Sequence, residues 1–173
     1  LKGFQQWALH RGDTDQVEGY DIPTEPAVGG FHYLSVTPDG RVIGTAQLGQ
    51  TLFVYDPRTG RFHNSRALTD WGGELYAALE IGGRIFAASY TGGEHLVYDP
   101  RQPWDSGVNP KRIGLALYPL LIRPNGLSVV GPDGNFWTGW STDYGKYGGG
   151  ITRVDVKADL LEYWYDPVPG QAI

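Results

Sequence analysis

The 173-residue chain contains no cysteine and no methionine, position 1 included. Without cysteine there are no disulfides and no thiolate metal sites, and the redox compartment is left open. A chain that begins Leu-Lys-Gly-Phe without Met is expected to have lost a leader or to be cut from something longer, and the repeat register below favours the second. No run approaches the roughly 18 apolar residues of a membrane helix, and no basic-then-apolar signal segment opens the chain. Lys and Arg number 14 against 19 Asp and Glu, a net charge of −5 with no basic cluster. That argues against nucleic acid as a partner, because phosphate contacts need gathered cations. Catalytic motifs are absent too: there is no G-x-S-x-G elbow, Walker loop, Rossmann fingerprint or His-x-x-x-His pair.

What is present is a phrase said twice, LFVYDPRTGRF from Leu52 and HLVYDPRQPW from His95, with Asp56 and Asp99 43 residues apart. A looser third copy is ITRVDVKADLLEYW, from Ile151 to Trp164. Self-similarity at a period of about 40 marks a repeat architecture. Strand-like runs recur between Gly, Pro, Asn and Asp, which reads as all-β. In register, first strands fall at Tyr33 to Thr37, Leu75 to Glu80 and Leu127 to Val130. Second strands are expected at Arg41 to Gln47, Arg84 to Tyr90 and Asn135 to Ser141. Third strands follow at Thr51 to Asp56, His95 to Asp99 and Ile151 to Asp155, and fourth strands at Arg61 to Leu68, Lys111 to Leu117 and Leu160 to Asp166. Asp-Gly and Gly-Gly between such runs are hairpin signals, since type I′ turns need positive φ at both central residues.

Four antiparallel strands per repeat make one blade of a β-propeller. Residues 1–26 read as half a blade, 27–69, 70–119 and 120–169 as three blades, and 170–173 as the start of another. Open faces at both ends imply further blades, supplied by the rest of the same polypeptide in a ring of about seven. A closed four-bladed ring would need two strands from residues 167–173, which are too few.

In a propeller the tight turns lie on one face and the longer connections on the other. Asp39, Asp56 and Asp133 therefore read as turn formers. The longest connection, Trp140 to Gly150, combines Trp140, Asp143, Tyr144, Lys146 and Tyr147 with glycines, which suits stacking and hydrogen bonding to a ligand. Trp71, Glu74, Tyr90, His95, Arg123 and His32 fall on the same face. His32 and His95 come from different blades and are expected to converge on the central mouth. His10 and His63 read as structural.

Val-Tyr-Asp-Pro-x-Thr-Gly with Pro-Asp-Gly turns resembles the secreted or periplasmic propellers that include gluconolactonase-like and lyase-type members. The stretch from Gly139 to Asp155, with Asp143-Tyr144-Gly145-Lys146 before a glycine run, resembles propellers of polysaccharide degradation. The lyase resemblance implies β-elimination at a uronic acid in a secreted protein. A base, His32 or His95, takes the proton beside the carboxylate, and Tyr90, Tyr144 or Tyr147 serves as acid. Arg123 or Lys146 neutralises the carboxylate, and Trp71 and Trp140 stack on sugar rings. Glu74 and Asp143 complete the binding set. The gluconolactonase-like resemblance implies instead a divalent metal such as calcium, with Glu74 and Asn125 as candidate ligands. A third reading is a propeller that binds sugar or protein without turnover.

Overall fold

The computed structural model describes residues 6–14, 16–21 and 29–173, with backbone alone for 6–10 and 19–21. The His10 side chain, and much of the expected half blade with it, lies outside the described residues. Fifteen strands and no helix make up the described chain. Strands β1 (Gln6–Arg11) and β2 (Gln16–Asp21) form a hairpin of their own. Three antiparallel sheets follow. The first contains β3 (Phe31–Val36), β4 (Val42–Ala46), β5 (Leu52–Asp56) and β6 (Arg61–Asn64) in that order. The second contains β7 (Glu74–Ile81), β8 (Arg84–Tyr90), β9 (Glu94–Tyr98) and β10 (Lys111–Leu115).

The third sheet corrects the expected register. Its first strand is split into β11 (Leu121–Pro124) and β12 (Val129–Val130), both paired to β13 (Phe136–Thr142), with β14 (Gly149–Asp155) and β15 (Leu160–Tyr165) beyond. The expected strand from Leu127 thus begins six residues earlier and is interrupted. Each sheet is a propeller blade with its strands in meander order, as the repeat implied.

Side-chain alternation decides how the blades stack. In β8, Ile85 and Ala87 join the core shared with the first blade, while Phe86 and Ala88 join the core shared with the third. A strand buried on both faces reads as a continuous apolar run, which is what Ile85-Phe86-Ala87-Ala88 is. Burying two such faces is the dominant stabilisation, at about 25 cal/mol per Å² of apolar surface. Hydroxyls stitch the first pair of blades: Ser35 Oγ donates to the Ala78 carbonyl at 2.7 Å and Thr45 Oγ1 to that of Leu75 at 2.8 Å. Arg41 reaches Glu80 at 2.7 Å across the same seam.

The repeated Tyr-Asp phrase has one local job. The carboxylates of Asp56, Asp99 and Asp155 each accept the backbone N–H two residues on, from Arg58, Arg101 and Lys157, all at 2.9 Å. This Asx turn fixes the hairpin between third and fourth strands. Asp39 and Asp133 likewise bond within their own turns, to Thr37 Oγ1 and to the Asn135 N–H.

Candidate functional site

Each blade's first strand carries a bulge near its beginning. Pairing skips a residue between Phe31 and Tyr33, between Leu75 and Ala77, and between Leu121 and Arg123. A bulge re-aims the side chain it displaces. His32 and Tyr76 are the displaced residues of β3 and β7, and Arg123 follows the bulge in β11. Strand β3 lies against β7 and strand β11 against β8, so the three side chains join one cluster although 44 and 47 residues separate them in sequence.

A continuous cluster results. The His32 ring meets that of Tyr76 edge-on at 4.4 Å between centroids, and Tyr76 meets Tyr90 at 5.9 Å. The Arg123 guanidinium carbon stands 4.7 Å from the Tyr90 ring centre and 5.1 Å from that of Tyr144, a cation shared by two π faces. Arg123 also donates to the Tyr144 hydroxyl, and the hydroxyls of Tyr90 and Tyr144 are 3.2 Å apart. Tyr144 is aimed by its own loop: Asp143 Oδ1 accepts the Tyr144 N–H at 2.8 Å, and the Asp143 N–H is bonded to the Leu120 carbonyl at 2.9 Å. Glu74 begins β7 directly opposite Tyr90.

The electrostatics single out one phenol. The Tyr144 hydroxyl, followed by the Arg123 guanidinium, holds the Tyr90 phenol below the usual tyrosine range, against upward pushes from desolvation and, more weakly, from Glu74. Tyr144 moves the other way, mainly because of its hydrogen bond to Tyr90. The shared hydrogen bond thus pushes the two phenols in opposite directions. Partial burial raises Tyr76, so it stays a neutral spacer.

Several expected site residues sit elsewhere. His95 is 1% exposed, bonded through Nε2 to Thr152 Oγ1 at 2.8 Å and packed against Trp140 and Phe136. Buried between blades, it cannot meet a substrate and is not the base. Trp140 is fully buried, with Nε1 donating to the same Thr152 hydroxyl at 2.7 Å, so it stacks on core residues and not on sugar. The expected glycine-hinged loop shrinks to residues 143–148, because Gly149 and Gly150 belong to β14. Lys146 folds back on Asp143 at 3.7 Å, and Tyr147 is exposed without a described contact to the cluster. Trp71 packs edge-on against Tyr118 at 5.3 Å, covering Gly92. His63 contacts Tyr98 at 2.8 Å, away from the cluster.

The described residues do not gather as a metal-ligand set. Asn125 Oδ1 accepts from Ser141 Oγ at 2.9 Å, and among the described residues no three His, Asp or Glu side chains gather as a ligand set. Tyr76 was missed by sequence reasoning. It occupies in the second blade the bulge register of His32 in the first, so the repeat alignment held the signal.

No family model matches the chain, and no curated protein matches it in sequence. Among solved structures it is similar to virginiamycin B lyase from Staphylococcus aureus, with a TM-score of 0.57 and 13% identity, over 94% of this chain and 49% of that one. The chain therefore spans about half the length of that structure, a β-propeller of seven blades. At this identity the likeness shows the fold alone.

Proposed function

We propose that the chain is a carbohydrate-active propeller that cleaves uronic-acid-containing polysaccharide or oligosaccharide by β-elimination. The observation that carries this reading is the Arg123 guanidinium held between Tyr90 and Tyr144, with the Tyr90 phenol drawn down beside it. Arg123 pairs with the uronate carboxylate and lowers the cost of the enediolate that forms when the neighbouring C–H is lost. Ionised Tyr90 takes that proton. The electron pair then forms the carbon–carbon double bond as the sugar–oxygen bond on the adjacent carbon breaks, and Tyr144 returns a proton to the departing oxygen. The contact between the two hydroxyls lets the proton pass back from Tyr90 to Tyr144. No water is consumed. His32, one ring away across Tyr76, is the second base in the cluster. The similar solved structure bears the name of a lyase, which is compatible with elimination chemistry on this scaffold but supplies no substrate.

Further blades, supplied by the rest of the polypeptide in a secreted or periplasmic protein, would complete the channel mouth around this cluster. A non-catalytic sugar-binding propeller is the second reading, favoured by the 71% exposure of Tyr144, which leaves the reaction centre wet. Turnover of uronate oligosaccharides by wild type and by Tyr90→Phe separates the two. Elimination requires an unsaturated product that the variant fails to make; binding without product supports the second reading.

A further inference from the structure

Beneath the cluster lies a buried amide that the reaction does not use. Gln50, in the connection between β4 and β5, is 2% exposed. It reaches out of the first blade, and its Nε2 donates to two carbonyls of the second: Tyr90 at 2.7 Å and Gly72 at 3.0 Å. Two N–H groups meet two backbone acceptors, which matches donor number to need. Gln50 Oε1 is buried without a hydrogen-bond partner among the described residues. An unpaired buried acceptor is unfavourable, and an apolar side chain would avoid it. The donor end is therefore what this position demands.

Both carbonyls belong to backbone that aims the site. Tyr90 ends β8, and Gly72 lies in the turn that leads from Trp71 to Glu74. That turn is pressed so closely on Tyr90 that a Cβ on Gly73, whose φ is +107°, would stand 2.3 Å from the Tyr90 carbonyl oxygen. Gly49 N–H bonds the Gly73 carbonyl at 3.1 Å, and Thr91 N–H bonds that of Gly72 at 3.1 Å. Three rim connections thus converge on one amide.

We infer that Gln50 is a positioning residue: its amide clamps the Tyr90 backbone to the Gly72 turn and so holds the Tyr90 phenol against Arg123 and Tyr144. The inference rests on the reading of that cluster as the reaction centre. Misplacing a reacting group by about 1 Å costs about 100-fold in rate.

The test compares Gln50→Leu and Gln50→Glu with Ser65→Ala, a control in the same blade. Ser65 Oγ accepts the Leu52 N–H at 2.9 Å and touches nothing in the cluster. Tyrosine ionisation is followed by ultraviolet absorbance, with Tyr90→Phe identifying the early-titrating phenol. Both Gln50 variants should move that phenol up towards the free value of about 10 and lower kcat about 100-fold, whereas Ser65→Ala should lower only the melting temperature. Gln50 variants that lose stability but keep the early titration would overturn the inference. If neither folds, NMR of the wild type decides it: the Gln50 side-chain amide signal should shift along the Tyr90 ionisation curve, and an amide signal indifferent to that ionisation would overturn it. Because the titration needs no substrate, failure to find an eliminated product would count against the reaction alone.

Discussion

At the scale of single residues, His95 has no water to solvate an imidazolium. Desolvation holds its pKa down to about 3, against about 6.5 for a free imidazole. Below about pH 6.5 the unfolded chain binds a proton that the folded chain refuses, so the contribution of neutral His95 is complete above that pH and is lost as pH falls towards 3. The expected slope is about 1.4 kcal/mol per pH unit. Denaturant unfolding between pH 7 and pH 4 should show it in wild type and not in His95→Gln; equal slopes contradict the assignment. The Tyr144 hydroxyl and the Arg123 guanidinium lower the Tyr90 phenol from the usual tyrosine range. Tyr90→Phe should lower kcat by about 10²- to 10⁴-fold, and exposed Tyr147→Ala should leave it unchanged. Activity that needs the Tyr90 phenolate rises with pH. Tyr144→Phe removes the strongest influence lowering that phenol, so the rise should move to higher pH while the rate also falls. A pH–rate profile of the variants reads both effects. Residue type and face were visible in the sequence for His32, Tyr90, Arg123 and Tyr144. Burial was not: His95 and Trp140 lie on the same side of the fold, and only the pleat of β9 and β13 turns them inward.

At the scale of elements, hairpins written as Asp-Gly or Gly-Gly were legible because their backbone admits few residues. Strand β11 was not, since Pro124-Asn125-Gly126 reads as a turn and masks the four strand residues that end at Pro124. The bulges were equally silent. They depend on pairing with the neighbouring strand, which no single strand's sequence carries, yet they are what gathers His32, Tyr76 and Arg123. In the expected loop from Trp140 to Gly150, Gly149 is a packing residue. A Cβ there would stand 2.6 Å from the Trp140 carbonyl and 2.8 Å from that of Gln171. Gly149→Ala should cost about 1–3 kcal/mol, as overpacking does, whereas Gly72→Ala, with nothing within 4 Å of its Cβ, should be close to neutral. Thermal or denaturant unfolding of the two variants checks the contrast.

At the scale of the molecule, each end of the blade stack presents an uncovered apolar face. On the first blade Phe31, Leu34, Val36 and Phe62 are exposed, with Phe31 and Phe62 both against Phe53. On the third, Leu127 and Val129 border a groove with Trp137 and Ile151, and Trp137 stacks on Trp164 at 5.6 Å. Inside the stack, faces of this composition pack blade on blade, so the same partner chemistry suits the outer ones. The 173-residue chain should bind a hydrophobic fluorescent dye, and Leu127→Ser with Trp164→Ser should weaken that binding while blade-to-blade unfolding stays cooperative. The repeat made the blades readable from sequence, and the uncovered faces follow from its period-two alternation. The proposed reaction was not readable in that way, because the cluster is assembled from three blades and owes its electrostatics to their spacing. Its most direct test is a mass balance on uronate oligosaccharides. Elimination predicts products whose masses sum to that of the substrate, one carrying a new double bond that absorbs in the ultraviolet, and a loss of that signal in Arg123→Ala. Products heavier in sum by one water, or intact substrate that binds and is released, would contradict the account.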